Sequence, residues 1–137
     1  MNAKIFVDSN IFLYAFTDRD LAKHNIAKEI ILNNQCNISV QVINEVSNNL
    51  LKKLKFNESE VVSFIDACYV RYSIEPLSKT ILITASQLRG KYCFSYYDSL
   101  IVSSALISQS EILYTEDMQH LQLIENKIQI INPFVKD

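Results

Sequence analysis

Lys4-Ile5-Phe6-Val7-Asp8-Ser9-Asn10-Ile11-Phe12-Leu13-Tyr14-Ala15-Phe16 changes structural period at one acidic residue. Lys4 to Val7 is a short apolar run rich in β-branched and aromatic side chains, as in a buried strand. Ile11 to Phe16 continues apolar and begins a helix just after Asp8. The same change recurs along the chain. Asp20 to Leu32 carries Leu21, Ile26, Ile30 and Ile31 at helical spacing. Ile38 to Val40 reads as a second strand, and Gln41 to Leu54 as a helix with Ile43, Val46, Leu50 and Leu54 along one face. Asn57 with Glu60 forms a capping box ahead of Val61, Phe64, Ile65 and Cys68. Tyr72 to Leu77 is a short strand whose Pro76 gives it an edge or connecting role. Ser78 caps a helix through Arg89, with Gly90 at the C-cap. Ser95 with Asp98 precedes a helix from Leu100 to Ile107. Ile112 to Thr115 and Ile128 to Ile131 are the last clear strands, and Met118, Leu121 and Leu123 suggest a short helix between them. Strands alternating with helices predict an α/β fold, with a parallel sheet covered on both faces.

The 137 residues fit one domain spanning 1–137, with 49% hydrophobic and 20% charged residues. Gly90 is the only glycine, and Pro76 and Pro133 the only prolines. A glycine-rich phosphate loop is therefore excluded, and connections should be short. A net charge of -2 excludes a generally basic nucleic-acid coat, but it leaves room for a local basic groove. Cys36, Cys68 and Cys93 form no CxxC pair and read as reduced thiols in a cytoplasmic protein. No run of about 18 apolar residues predicts a membrane span, and polar residues with Asp8 break any secretory signal pattern.

Four pieces set acids where apolar structure ends or turns inward. They are Val7-Asp8-Ser9-Asn10, Ile43-Asn44-Glu45-Val46, Tyr97-Asp98-Ser99-Leu100 and Tyr114-Thr115-Glu116-Asp117. A carboxylate beside a packed core is costly to desolvate. Several are tolerated where they meet at a cleft and share a cation. In parallel α/β sheets such clefts lie outside the carboxyl ends of the strands, which is where Asp8 and Asp117 fall. Each acid also has an ordinary reading. Asp8 fits an N-cap or Asx-turn, Glu45 a solvated helix edge, Asp98 a completed cap, and Asp117 the cap of the short helix. Asn10 suits a turn, or orients Asp8 or a water.

In this order and spacing, from Phe6 to Phe134, the chain resembles a PIN-domain ribonuclease of the VapC type, the toxin half of toxin–antitoxin pairs. The resemblance rests on Val7-Asp8-Ser9-Asn10; on Ile43-Asn44-Glu45-Val46 with Asn48; on Ser95-Tyr96-Tyr97-Asp98-Ser99-Leu100-Ile101 with Ala105; and on Leu113-Tyr114-Thr115-Glu116-Asp117-Met118-Gln119-His120, closed by Ile131-Asn132-Pro133-Phe134. It implies a three-layer α/β/α sandwich around a mainly parallel sheet of four to five strands. It assigns metal-binding, catalytic carboxylates to Asp8, Glu45, Asp98 and Asp117, with supporting roles for Ser9, Asn10 and Thr115. Glu116 is held as an outer-shell acid. Relatives often carry Gly where Leu121 stands, which puts the loop after Asp117 in question.

The implied activity is a metal-dependent endoribonuclease that hydrolyses phosphodiester bonds with Mg²⁺ or Mn²⁺, the hard cations that oxygen ligands suit. The implied partners are an RNA substrate, a homodimeric second copy, and a small antitoxin in a groove near the helices of residues 41–70, with Leu51, Phe56 and Val62 in its lining. For RNA, Arg89 and Lys91 beside Tyr92 and Phe94 make the best cationic patch, although a solvated helix end is the more ordinary reading. Lys52, Lys53 and Lys55 form a second basic spot with the same bland alternative. His24 and His120 do not form a catalytic pair. Two other readings compete. One is a non-catalytic, cation-stabilised module binding RNA or protein. The other is a haloacid-dehalogenase-like phosphotransferase with Asp8 as nucleophile, whose second Asp is here Asn10.

Overall fold

The computed structural model describes residues 3–136. In chain order the elements are β1 (Ile5–Val7), α1 (Ser9–Phe16), α2 (Leu21–Asn33), β2 (Cys36–Ser39), α3 (Val40–Lys52), α4 (Glu58–Arg71), β3 (Ser73–Glu75), α5 (Lys79–Lys91), α6 (Tyr96–Ile107), β4 (Ile112–Tyr114), β5 (Leu123–Ile124) and β6 (Ile128–Ile131). One six-stranded sheet has the order β3-β2-β1-β4-β6-β5. All neighbours run parallel except β5, which pairs antiparallel with β6. The four to five strands expected are thus six. Ile5, Phe6 and Val7 are all buried, so the sheet is covered on both faces at its centre. A continuous core joins these strands to Ile11 and Phe12 of α1, Val42, Val46 and Leu50 of α3, Phe64 of α4, and Ile101 and Ala105 of α6.

Chain order reverses around β1, which has β2 on one side and β4 on the other. A crevice opens outside the carboxyl ends of strands at such a point. Asp8 leaves β1 there, and Thr115 to Asp117 leave β4. At the end of β2, the Ser39 hydroxyl accepts a hydrogen bond from Val42 N at 3.3 Å and so starts the helix that carries Glu45. Local capping chemistry therefore aims several candidate residues at one edge.

The capping box at Asn57 and Glu60 forms as expected. The glycine stop does not. Helix α5 runs through Gly90 to Lys91 and ends at an extended Tyr92. Tyr92 is anchored beyond the helix, its ring 5.5 Å from that of Phe94 and its hydroxyl 3.0 Å from a Glu125 carboxylate oxygen. These contacts outweigh the local preference of a glycine to end the helix.

The expected short helix after Asp117 is also absent. Leu121 N donates to Ile130 O at 2.7 Å, and Ile130 N donates to Gln122 O at 2.8 Å, so the segment satisfies the edge of β6 instead. Glu125 and Asn126 both have φ 53°, and Lys127 N donates to Ile124 O at 3.0 Å, which makes a hairpin turn without glycine. Leu121 itself has φ 70°, a left-handed conformation that a glycine adopts freely. This accounts for the departure noted at that position. Left-handed geometry costs a non-glycine residue about 1–2 kcal/mol, and the Leu121 side chain is exposed. Leu121→Gly should therefore raise stability to urea by about 0.5–1 kcal/mol after the glycine's own entropy cost. A loss above about 1 kcal/mol would mean that the leucine side chain holds the turn.

A candidate acidic site at the sheet edge

Asp8 is the N-cap of α1 and is only 3% exposed. Ser9 N donates to its Oδ1 at 2.7 Å, and the Thr115 hydroxyl donates to its Oδ2 at 2.8 Å. Burial pushes its carboxyl up from 3.8 to about 7. The charges of Glu45 and Asp117 push in the same direction, against the two hydrogen bonds.

The residues beside Asp8 tie the other acids to it. The Ser9 hydroxyl donates to Glu45 Oε2 at 2.7 Å, while Gln41 Nε2 holds Oε1 at 2.9 Å. Asn10 Nδ2 donates to Asp117 Oδ2 at 2.9 Å, and Asn10 Oδ1 accepts from Glu116 N at 3.3 Å. Thr115 Oγ1 also accepts from Asp117 N at 3.2 Å. Ser9, Asn10 and Thr115 thus brace three carboxylates, and Asn10 serves Asp117 rather than Asp8. Asp98 sits half-buried in the first turn of α6. Its carboxyl is raised by burial first, with Asp117 and Glu45 adding to the rise. Glu45 and Asp117 thus act on both Asp8 and Asp98, which the ordinary cap readings do not require.

Glu116 lines the same edge but is already paired. Its carboxylate is ion-paired with Lys23 and accepts from the Tyr14 hydroxyl at 2.6 Å. Lys23 also lies over the rings of Tyr14 and Phe134, at 4.9 and 5.3 Å from their centroids. The neutralised Glu116 links α1 and α2 to the end of β4. Sequence alone gave no sign of this lock, because its members are far apart in the chain.

Among the described residues, no three His, Cys, Asp or Glu side chains are drawn tightly enough to form a ready-made metal cage. The donor set nevertheless fits a hard cation. Every candidate ligand atom is a carboxylate oxygen, and the carboxyl of Asp8 is held protonated to unusually high pH by burial and by its acidic neighbours. Mg²⁺ keeps several waters and engages one or two carboxylates directly, so it needs no all-protein cage.

Two hollows meet at Glu45. A cleft of about 460 Å³ is lined by Ser9, Asn10, Glu45 and Asp117, with Arg19 and Lys53 also on its walls. A shallower hollow of about 330 Å³ lies between Glu45 and Tyr97. Neither Arg19 nor Lys53 forms an ion pair among the described residues. The expected patch is engaged internally. Lys91 pairs with Glu125 at 2.6 Å, and Arg89 Nη1 donates to the Ser99 hydroxyl at 2.6 Å while stacking 4.5 Å over Tyr96. Lys53 was visible in the sequence as part of a basic spot, whereas nothing there marked Arg19.

An apolar groove of about 540 Å³ runs among α1, α2 and α4, with Phe12, Phe16, Ile31, Leu32, Phe56 and Phe64 in its walls. It borders the helices of residues 41–70 through α4 and extends over α1 and α2. Phe56 lines it as expected, but Leu51 packs against the core and Val62 faces solvent outside it. Among the described residues, no helix is long and apolar enough to cross a membrane.

A family model described as PIN domain matches residues 5–125. Among solved structures, the chain is similar to a toxin–antitoxin complex from Klebsiella pneumoniae, with TM-score 0.71, 21% identity, and coverage of 96% of this chain and 98% of that one. It is similar to VapBC2 from Rickettsia felis bound to a DNA fragment from their promoter, with TM-score 0.65, 21% identity and coverage of 92% and 96%. It is also similar to VapC20 of Mycobacterium tuberculosis, described as a Sarcin-Ricin loop cleaving toxin, with TM-score 0.67, 17% identity and coverage of 83% and 90%. At these identities the likeness is one of fold. Comparison with curated proteins returns no match.

Proposed function

The chain belongs to the PIN-domain family, and from that premise we propose that it is a metal-dependent endoribonuclease, the toxin of a toxin–antitoxin pair. The observation that supports this reading is the convergence of acids at the sheet edge: Ser9, Asn10 and Thr115 tie Asp8, Glu45 and Asp117 into one network, and the charges of Glu45 and Asp117 reach both Asp8 and Asp98. Acids gathered in this way are favoured by a positive partner. We assign those four as the residues that hold Mg²⁺ or Mn²⁺ and leave Glu116, already neutralised by Lys23, outside the set. When bound, such an ion lowers the pKa of a water and stabilises charge on the scissile phosphate.

The chain's own groups do the rest. Ser9, Asn10 and Thr115 fix the carboxylates before substrate arrives, so little reorganisation is left for the reaction itself. Arg19 and Lys53, on the wall of the same cleft, attract the phosphates on either side of the cut. The overall charge of -2 does not oppose this, because the attraction is local.

We also infer a small antitoxin as partner, since the structures from Klebsiella pneumoniae and Rickettsia felis are of toxin–antitoxin assemblies. The apolar groove among α1, α2 and α4 suits an amphipathic segment of such a protein. Removal of metal tests the enzymatic reading. Purified protein should cut single-stranded RNA in Mg²⁺ or Mn²⁺, fall to background in excess EDTA, and recover when the ion is restored. Cleavage that persists at full rate in EDTA would contradict metal dependence.

A further inference from the structure

The hollow beside Glu45 has a composition unlike the acidic cleft. Its walls are Gln41, Asn44, Glu45 and Asn48 of α3 with Tyr97 of α6. The Tyr97 side chain is strongly exposed, at 61%, although it is large and aromatic. It is not left loose. Its ring meets that of Tyr96 edge to face, with centroids 5.5 Å apart and an interplanar angle of 80°. Tyr96 is in turn covered by the Arg89 guanidinium at 4.5 Å, and Arg89 is fixed to the Ser99 hydroxyl at 2.6 Å. Tyr97 is therefore braced by its neighbours while most of its side chain stays exposed.

In the same hollow, Asn44 and Asn48 lie one helical turn apart on α3, both exposed. Neither carboxamide makes a side-chain hydrogen bond among the described residues, whereas Gln41 is spent on Glu45. A free carboxamide offers two donors and an acceptor in a plane. An aromatic face next to planar amides is the chemistry that receives a splayed-out nucleobase, stacked on one side and read along its edge. A volume of about 330 Å³ is at the small end for ligand sites and suits one ring system rather than a helix or strand of protein.

We propose that Tyr97, Asn44 and Asn48 form a subsite for one unpaired base of single-stranded RNA, next to the phosphate cut at the acidic site. This rests on the ribonuclease reading and adds to it a substrate form and a specificity determinant. Glu45 lines both hollows, so one strand crossing it places a base on Tyr97 and its backbone toward Arg19 and Lys53. Arg89 then acts as a positioning residue through Tyr96. This gives the sequence's cationic patch a role other than phosphate contact.

The probe is a set of single-stranded RNA heptamers, each with one 2-aminopurine at a different position. Binding is followed by fluorescence with Mg²⁺ in the Asp98→Asn background, which stops turnover, and cleavage of the same RNA is measured in the otherwise wild-type chain. Quenching should appear at one position only. Tyr97→Ala should abolish that quenching and weaken binding about tenfold, within the range expected for loss of one stacked base. Tyr97→Phe should retain both, and replacing Asn44 and Asn48 by Ala should reduce discrimination among bases. Unchanged quenching and affinity in Tyr97→Ala, with wild-type cleavage intact, would overturn the subsite and leave the nuclease reading standing. An absence of both RNA binding and cleavage in the wild type would overturn the function, and the subsite with it.

Discussion

Asp98→Asn should lower the rate of RNA cleavage by on the order of 1,000-fold, the loss of about 4 kcal/mol of transition-state stabilisation. The substitution keeps the shape of the side chain and the hydrogen bond from its backbone N to the Ser95 hydroxyl, at 3.2 Å. It removes a carboxylate that is raised by burial and by the charges of Asp117 and Glu45. The folded chain therefore loses repulsion along with activity. Without added metal, the variant should melt at the same temperature as the wild type or above it. Thermal melting beside a single-turnover cleavage assay separates the two effects. A variant that melts earlier and cleaves in proportion to its folded fraction would make Asp98 a structural residue.

Asp8 predicts an equally large effect on stability. Its carboxyl titrates near 3.8 in the unfolded chain and near 7 in the folded one. Below pH 3.8 both states are protonated and its contribution is fully present. As pH rises to 7, the unfolded state ionises while the folded state stays protonated, and stability on the order of 4 kcal/mol is lost. Above 7 the loss is complete. A divalent cation acts in the opposite sense, because it favours the ionised form. Without metal, the wild type should therefore lose stability between pH 4 and pH 7. Mg²⁺ or Mn²⁺ should raise the melting temperature more at pH 8 than at pH 5. Asp8→Asn keeps an acceptor for Ser9 N and should remove most of the pH-dependent fall. Identical pH profiles for the two proteins, with melting indifferent to either ion, would contradict the electrostatic account of the site.

The sequence reveals most where chemistry is local. The strand before Asp8, the caps at Asn57, Ser78 and Ser95, and the buried stripe of α3 all follow from neighbours within a turn. Once the sheet is parallel, the placement of Asp8 and Asp117 at one edge follows too. The sequence reveals least where a distant partner decides. Ser9 finds Glu45 across 36 positions, and Lys23 finds Glu116 across 93. No spacing rule predicts either contact, and the second pairs an acid expected in an outer shell. The hairpin from β5 to β6 was hidden because its turn uses Glu125 and Asn126 in left-handed conformations, without the glycine that normally marks it.

The cationic patch shows the same limit. Alternating cations and aromatics near Asp98 suggested an RNA contact; the structure adds that Arg89 is held by Ser99 and Tyr96, and the exposed Lys91 by Glu125. The cleft takes its positive charge instead from Arg19 and Lys53, on opposite sides of α2 in the chain. Which cation lines the cleft depends on how the helices pack around α1, and helix packing is set by the whole core.

The central claim is that the acidic edge cuts RNA. It is tested most directly by mapping new RNA 5′ ends in cells expressing the wild type or Asp98→Asn at equal levels. The account predicts a discrete set of ends with the wild type that is missing with Asp98→Asn. Coincident maps would contradict it.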